Sequence, residues 1–153
     1  MPTLYLLGYE GLTANQISEI LRRRKIGKLI DIRRWPYTSS GHNPAAFRHI
    51  KGYIHLPVLA PPRSLLSAYK DKSLWDEFAA GYIKYIDSEK VKQAFLDVIT
   101  GTPLCLLCKE KNPHECHRML LAKFMIEALE LEDWKILDIS SPKMQFNKTI
   151  FDR

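Results

Sequence analysis

The feature of this sequence that most restricts its fold is the run LCLLC, residues Leu104–Cys108, which contains no charged or amide side chain. A strand with one face in water alternates apolar and polar residues, whereas a strand covered on both faces does not. The run follows the turn-forming sequence GTP and precedes a polar stretch. It therefore predicts a short buried strand in a parallel sheet that helices cover on both sides.

The rest of the chain alternates between similar apolar runs and helical patterns. Further strands are predicted at Thr3–Leu7, Lys28–Arg33, Tyr53–Pro57 and Trp134–Ser140. Helices are predicted after a cap at Thr13, over Ser73–Tyr85, over Ser88–Ile99 and after Asn112. Strands that alternate with helices indicate βαβ units. We therefore expect an α/β fold with three layers, in which a mostly parallel sheet is flanked by helices.

Length and composition agree with one folded unit. The chain has 153 residues, of which 46% are hydrophobic, and this is enough to bury a core. We expect a single α/β domain over residues 1–141 and a polar C-terminal tail over residues 142–153. No run approaches the roughly 20 apolar residues that cross a bilayer, so no membrane association is expected.

The cellular location is inferred from the start of the sequence and from the cysteines. The start, MPTLYLLGYEG, lacks the basic region and the small-residue cleavage site of a signal peptide. Three cysteines, an odd number, suit a reducing compartment better than a disulfide framework. Both observations predict a cytoplasmic protein.

The charge favours anionic partners. The formal net charge is +6 at pH 7, which suits nucleic acid, phosphate esters or acidic small molecules. Basic and aromatic side chains are concentrated in the segment from Arg33 to Lys51. Such a segment can contact phosphates and stack on bases, although a solvated loop has the same composition. The sequence leaves the oligomeric state open.

Chemically active residues follow several of the predicted strands. Glu10 follows the first strand, Asp31 and Arg33 end the second, and Cys108 ends the LCLLC run. Ligands of open parallel sheets bind beyond the carboxyl ends of the strands. We therefore expect these side chains to converge on one site. The structural alternative is that Asp31 and Arg33 form an ion pair that only braces the fold.

The densest group of reactive side chains lies in KEKNPHECHR, residues 109–118. Asn112 can cap a helix in which Pro113 is the first residue and Glu115 completes a capping box. Cys116 would then lie in the first helical turn, where the helix dipole stabilises an anion. The pattern predicts a crevice between a strand end and a helix start that favours a bound anion or a thiolate.

Each reactive residue near this crevice has a predicted role. Cys108 would be the nucleophile or sulfur carrier, Cys116 a second thiol and His117 an acid or base. Arg118, together with Arg33, would clamp the anion. Glu10, Asp31 and Glu110 would orient these cations or transfer protons. The structural alternatives are that the cysteines only pack, that His117 bonds the backbone or a carboxylate, and that Arg118 pairs with Glu110 or Asp31.

Zinc is considered because cysteine and histidine are its usual ligands. Cys105 and Cys108 are three positions apart on a strand, so they should point to opposite faces of the sheet. Cys116 and His117 are adjacent on a helix, so they diverge by roughly 100°. We therefore expect no metal site and no cofactor, and we interpret Cys105 as a small core residue.

The pieces LLGYEGLT, IGKLIDIRRWPYT, GYIHLPVLA and LLCKEKNPHECHRMLLA resemble the domain-of-unknown-function 488 (DUF488) family, from about Leu4 to Ile139. The most specific part is the pattern Cys-x-Glu-x-x-x-x-x-Cys-His-Arg. It is carried here by Cys108, Glu110, Cys116, His117 and Arg118. The family pattern also places Gly8, Glu10, Asp31, Arg33 and Pro36. The resemblance implies a fold and a pocket, but it implies no reaction.

A weaker resemblance is to rhodanese-type sulfurtransferases. LIDIR, GH, HIKGYIHLP and a strand ending in cysteine follow a similar order. This likeness implies a Rossmann-like or rhodanese-like fold, in which Cys108 would head an anion-binding loop and carry sulfur. Arg118 follows Cys108 by ten positions, so the short Cys-x₅-Arg cradle of cysteine phosphatases is absent.

Three hypotheses follow from these patterns. The first is a strand-end pocket for a phosphate- or sulfur-bearing anion, with cysteine-dependent transferase or hydrolase chemistry. The second is a non-catalytic module that associates with nucleic acid, in which case binding would weaken steeply with salt. The third is that the charged residues form only an internal ion-pair network. The sequence leaves open whether the protein is an enzyme.

Overall fold

The structure, a computed structural model, describes residues 2–34, 44–72, 74–99, 101, 103–110 and 117–140, apart from the side chains at 44–46 and 68–72. The predicted tail 142–153 lies outside the described residues, so the domain boundary there stays a prediction. The predicted helix start at Asn112 and the predicted cap at Ser73 also lie outside them.

Five strands in the described residues form one sheet: β1 (Thr3–Gly8), β2 (Lys28–Asp31), β3 (Tyr53–His55), β4 (Leu104–Cys108) and β5 (Lys135–Asp138). Their order across the sheet is β3-β2-β4-β1-β5, and every neighbouring pair is parallel. β4 lies in the centre, and all five of its residues are buried. The predicted parallel sheet and the double burial of this strand are confirmed.

Within the part of the chain that the structure describes, five α-helices connect and cover the sheet: α1 (Ala14–Arg23), α2 (Arg63–Lys72), α3 (Trp75–Ile86), α4 (Glu89–Ile99) and α5 (His117–Ala128). Two short 3₁₀ helices occupy Pro44–His49 and Pro57–Leu59. No helix in the described part of the chain is long and apolar enough to cross a membrane.

The cap predicted for α1 is confirmed. The Thr13 side chain accepts from the Gln16 backbone N–H, and the Gln16 side chain accepts from Thr13 N. This reciprocal pair satisfies two backbone donors that the first turn leaves without partners. Thr13 therefore fixes where the chain turns from the β1 end into α1.

The sequence reading missed α2. No helix is predicted between the Tyr53–Pro57 strand and Ser73, but α2 begins at Arg63, directly after Pro61 and Pro62. Pro62 O accepts from both Leu65 N and Leu66 N in the first turn. Proline ends a preceding element, yet it also suits the start of a helix, where no N–H donor is needed. The same dipeptide therefore acts as a boundary on one side and as a helix start on the other.

The two faces of the sheet carry separate hydrophobic cores. On one face, side chains such as Phe78, Tyr82 and Phe95 of α3 and α4 pack with Cys108 and α5. On the other face, α1 and the Pro44–His49 helix pack with Cys105. The prediction that Cys105 and Cys108 point to opposite faces is confirmed, and three layers result.

Gly52 gives a test of the turn that leads into β3. Its φ is +85°, and a Cβ there would lie 2.2 Å from Gly27 O. We expect Gly52→Ala to lower the free energy of unfolding by about 2–4 kcal/mol, because backbone strain and overlap add. Gly11→Ala is the control, since Gly11 has φ +84° but no atom within 4 Å of its Cβ position. That change should cost only about 1 kcal/mol in urea unfolding, and equal losses for both variants would contradict the steric argument.

Candidate functional site

Cys108 lies at the carboxyl end of the central strand. Its strand neighbours are β1, where Gly8 is its register partner, and β2, where Asp31 pairs with Leu107. The pairing with β1 continues past the strand, because Tyr9 N donates to Cys108 O at 2.9 Å. The ends of β1, β2 and β4 thus lie side by side, as the strand-end rule predicts.

The Arg118 side chain, in the first turn of α5, is fully buried and links several of these ends. Its Nε donates to Asp138 Oδ2 at 2.9 Å, and its Nη2 donates to Ser140 Oγ at 3.0 Å. Its Nη1 donates to Cys108 Sγ at 3.2 Å and to Glu110 O at 2.6 Å. Burial of a guanidinium is tolerated when a carboxylate and further acceptors replace water in this way.

A second layer of contacts holds the partners of Arg118. Ser140 Oγ accepts from Gly8 N at 2.8 Å, and Asp138 Oδ1 accepts from Ser140 N at 2.9 Å. The buried Asp138 carboxylate therefore has one oxygen on Arg118 and the other on the backbone. Because both partners are fixed by strand ends, the guanidinium is held against Cys108 Sγ.

The cysteines occupy different chemical environments. Cys108 is 1% exposed and disulfide-bonded, whereas Cys105 is a free thiol and fully buried. Burial raises the pKa of the Cys105 thiol well above its ordinary value, so this residue stays protonated and inert. Cys116 lies outside the described residues.

Asp31 and Arg33 form a separate cluster at the end of β2. Arg33 Nε and Nη2 donate to the two oxygens of Asp31 at 2.8 and 2.5 Å, and Tyr53 Oη also donates to Asp31. The guanidinium lies 4.7 Å from the Tyr9 ring centroid and 5.7 Å from that of Phe47, a cation–π arrangement.

The pKa values of this cluster follow from its contacts. Burial acts to lower the pKa of Arg33, but its hydrogen bonds to Asp31 and the charge of Asp31 raise it overall. Burial and the hydrogen bond to Asp31 raise the pKa of Tyr53. Arg33 therefore remains a cation and Tyr53 a neutral phenol at all working pH values.

Two histidines hold the backbone that leaves β2. His117 Nε2 lies 2.9 Å from Ile32 O, and His55 Nε2 lies 2.7 Å from Arg33 O. A carbonyl oxygen only accepts, so both Nε2 atoms carry a proton. Mainly through burial, the pKa of His117 is lowered to about 4, although the bond to Ile32 acts in the opposite direction. His117 is therefore neutral near pH 7.

The two glutamates lie at the outer edge of this region. Glu10 is exposed, and its backbone N–H donates to Lys109 O at 3.0 Å. Glu110 is half-buried, and its carbonyl accepts from Arg118. Burial raises the pKa of the Glu110 carboxyl, as does the charge of Glu10, while Lys109 and Arg118 act to lower it.

The structure brings the predicted residues together in two groups. Cys108, Glu110 and Arg118 form one group, and Asp31 with Arg33 forms the other. His117 connects them, because it begins α5 next to Arg118 and bonds Ile32 O. Glu10 lies at the edge, joined through its backbone.

Sequence reasoning missed four residues that complete the two groups. These are His55, Tyr53, Asp138 and Ser140. The last two follow the same strand-end rule that selected Asp31 and Cys108, since Asp138 ends β5 and Ser140 lies two residues beyond it. That signal was available. Tyr53 and His55 lie on β3, and only the pairing of β3 with β2 places them beside Asp31 and Arg33.

The fold defines a class: a three-layer α/β protein with an all-parallel sheet, in which Arg118 contacts Cys108 at the strand ends. The family model described as "Domain of unknown function DUF488" matches residues 13–125. This is most of the chain, and the chain belongs to that family. The match covers the segment from α1 into α5, and so includes Cys108, Cys116 and Arg118, but not Glu10 or Asp138. No curated protein and no solved structure matches the chain.

The buried ion pair predicts a large effect on stability. We expect Arg118→Met to lower the free energy of unfolding by about 3–5 kcal/mol, because it leaves the Asp138 carboxylate buried without its cation. The measurement is urea unfolding at neutral pH. Arg22→Met is the control, since Arg22 pairs with Glu19 on the exposed face of α1, and an exposed pair contributes little. Similar losses for both variants would show that the Arg118 network is not a stabilising unit.

His117 predicts a pH dependence of stability. Its pKa is about 4 in the folded protein and about 6.5 when unfolded. Between these values the unfolded chain binds a proton that the folded chain does not. Stability contributed by neutral His117 is therefore complete above about pH 6.5 and decreases as pH falls toward 4.

The matched variant for this pH dependence is His117→Gln, whose amide can still donate to Ile32 O but does not titrate. Thermal unfolding across the same pH range should show a shallower decline for the variant than for the parent protein. An unchanged decline would mean that another group causes it.

Proposed function

We propose that this protein is a cysteine-dependent transferase that acts on a sulfur-bearing anion, with Cys108 as the nucleophile. The observation that carries the proposal is the contact between the buried Arg118 guanidinium and Cys108 Sγ, 3.2 Å long, at the end of the central parallel strand. In the reduced protein a cation at that distance favours the thiolate, which is the reactive form of cysteine.

A second cysteine supports sulfur chemistry over phosphate chemistry. Cys108 is disulfide-bonded, and Cys105 is free. We infer from the count of three cysteines that Cys116 is the second thiol, in agreement with the role expected from the sequence. A nucleophile paired with a second thiol suits a cycle of thiol–disulfide exchange.

The proposed reaction has two steps at the cysteines, followed by reduction of the resulting disulfide. The Cys108 thiolate attacks the outer sulfur of an anion such as thiosulfate; the S–S bond breaks, and sulfite leaves with its electron pair. The resulting Cys108 persulfide is then attacked by the Cys116 thiolate at the Cys108 sulfur. Hydrosulfide leaves and a disulfide forms. An external dithiol reduces that disulfide and restores both thiols, so electrons and atoms balance.

The other residues have supporting roles in this proposal. Arg118 stabilises the Cys108 thiolate rather than the substrate anion, because its donors already bond groups of the protein itself. Arg33 is the candidate for contact with the anion. Glu110, whose pKa burial raises, and Glu10 are candidates for proton transfer to the leaving hydrosulfide, while neutral His117 holds the backbone at Ile32.

Alkylation of the reduced protein tests the nucleophile. We expect Cys108 to react with iodoacetamide at about pH 6, where ordinary thiols are protonated and slow, as followed residue by residue with mass spectrometry. Because Cys108 is buried in the disulfide-bonded state, the test also measures whether reduction exposes its sulfur. Cys105, on the same strand, is the internal control and should not react in the folded protein.

A trapping experiment tests the transfer step. Cys116→Ser removes the second thiol, so thiosulfate should leave the mass of one added sulfur atom on Cys108. Cys105→Ser should release sulfite and hydrosulfide as the parent protein does, provided that a dithiol is present. If Cys108→Ser leaves sulfite release unchanged, or if no thiol reacts at acidic pH, the cysteine-dependent proposal is wrong.

The alternative is a non-catalytic module that binds nucleic acid. The observations in its favour are the net charge of +6 and the exposure of Arg48, His49 and Lys51 before β3. Residues 35–43, in the middle of the Arg33–Lys51 segment behind this idea, lie outside the described residues. Oligonucleotide binding that falls steeply with added salt, in a protein without thiosulfate turnover, would favour this alternative.

A further inference from the structure

A cavity of about 340 Å³ lies at the end of the sheet opposite to Cys108. Ile26 and Gly27, which precede β2, and Ile50 and Lys51, which precede β3, form part of its lining. All strands are parallel, so the cavity is at their amino ends while Cys108 is at a carboxyl end. The cavity is therefore separate from the site of the proposed transferase reaction.

The floor of the cavity is apolar, and its rim is basic. Leu21, Ile26 and Ile50 are buried core residues that line it. The polar side chains around them belong to Ser18, Arg22, Lys25 and Lys51. Each of these groups can donate hydrogen bonds, and none is acidic. A volume of this size is within the range of sites for small molecules.

The cations differ in how far they are neutralised within the protein. Arg22 pairs with Glu19, which also contacts Arg23. Within the part of the chain that the structure describes, neither Lys25 nor Lys51 forms an ion pair. Lys25 and Lys51 come from different segments, the end of α1 and the turn before β3. Their charges at one rim suit a single anionic group.

We propose that this cavity binds a small amphipathic anion. The apolar body of the ligand packs on Leu21, Ile26 and Ile50. Its phosphate, sulfate or carboxylate group lies at the rim with Lys25 and Lys51. Charge complementarity selects the anion, and the apolar floor selects against a bare inorganic ion.

The backbone at Lys25 provides a variant that separates binding from folding. Lys25 is the second residue after α1 and has φ of 56°; its N–H donates to Arg22 O, and the N–H of Ile26 donates to Leu21 O. Glycine is favoured at this position of a helix end, because a Cβ is strained there. Lys25→Gly therefore removes the cation while relieving the backbone. Glu130, with φ of 54° after α5, is an equivalent position far along the chain.

The experiment is a fluorescence titration with anilinonaphthalene sulfonate, an aromatic anion, against the full chain. We expect saturable binding to the native protein, with affinity reduced about threefold to tenfold in Lys25→Gly and in Lys51→Gln. Glu130→Gly should bind as the parent protein does. Both glycine variants should unfold at a Tm equal to or above that of the parent, which shows that lost binding is not lost folding.

The proposal is wrong if the native protein does not bind the dye, or if Lys25→Gly and Glu130→Gly bind it with equal affinity. It is also wrong if inorganic phosphate displaces the dye fully and binds with the same affinity as the dye. An effect of Lys25→Gly on oligonucleotide binding alone would also overturn it, in favour of a nucleic-acid contact. Cys108→Ser should bind the dye normally, so failure of the transferase proposal and failure of this one are distinguishable.

Discussion

The buried guanidinium of Arg118 is the interaction on which the strand-end region depends. A cation without water must be surrounded by acceptors, and here they come from β4, β5 and the loops that follow them. Asp138 supplies the opposing charge. Ser140 Oγ accepts from both Arg118 and Gly8 N, and so links the guanidinium to β1. The requirement to satisfy one charge therefore fixes the start of α5 against three strand ends.

The central position of β4 gives its two cysteines different chemistry. The alternation of a strand sends Cys105 into the core beneath α1 and Cys108 into the face that carries α5. Burial among apolar side chains keeps Cys105 protonated, whereas Cys108 contacts the cation of Arg118. The difference in reactivity proposed for them follows from their spacing of three positions on β4, which puts their side chains on opposite faces of the sheet.

The sequence predicted the strands and most of the helices because their signals are local. An unbroken apolar run requires a strand buried on both faces, and Thr13 with Gln16 is a complete cap within four residues. The same reasoning missed α2, because a proline pair marks both an end and a beginning. The strand-end rule selects Asp138 and Ser140 as positions, but no periodic pattern pairs them with Arg118, which lies 20 and 22 positions away in the sequence.

By itself, the sequence determined the fold class, the opposite facing of Cys105 and Cys108, and the placement of Asp31 and Cys108 at strand ends. These features depend on periodicity, on helix capping and on the direction of parallel strands, and short local stretches of sequence are enough to predict them. Only the tertiary structure decided that Arg118 serves the protein's own Cys108 and Asp138, and that His117 holds the backbone of Ile32. Those outcomes depend on which strands become neighbours, and on the need of each buried polar atom for a partner at hydrogen-bond distance.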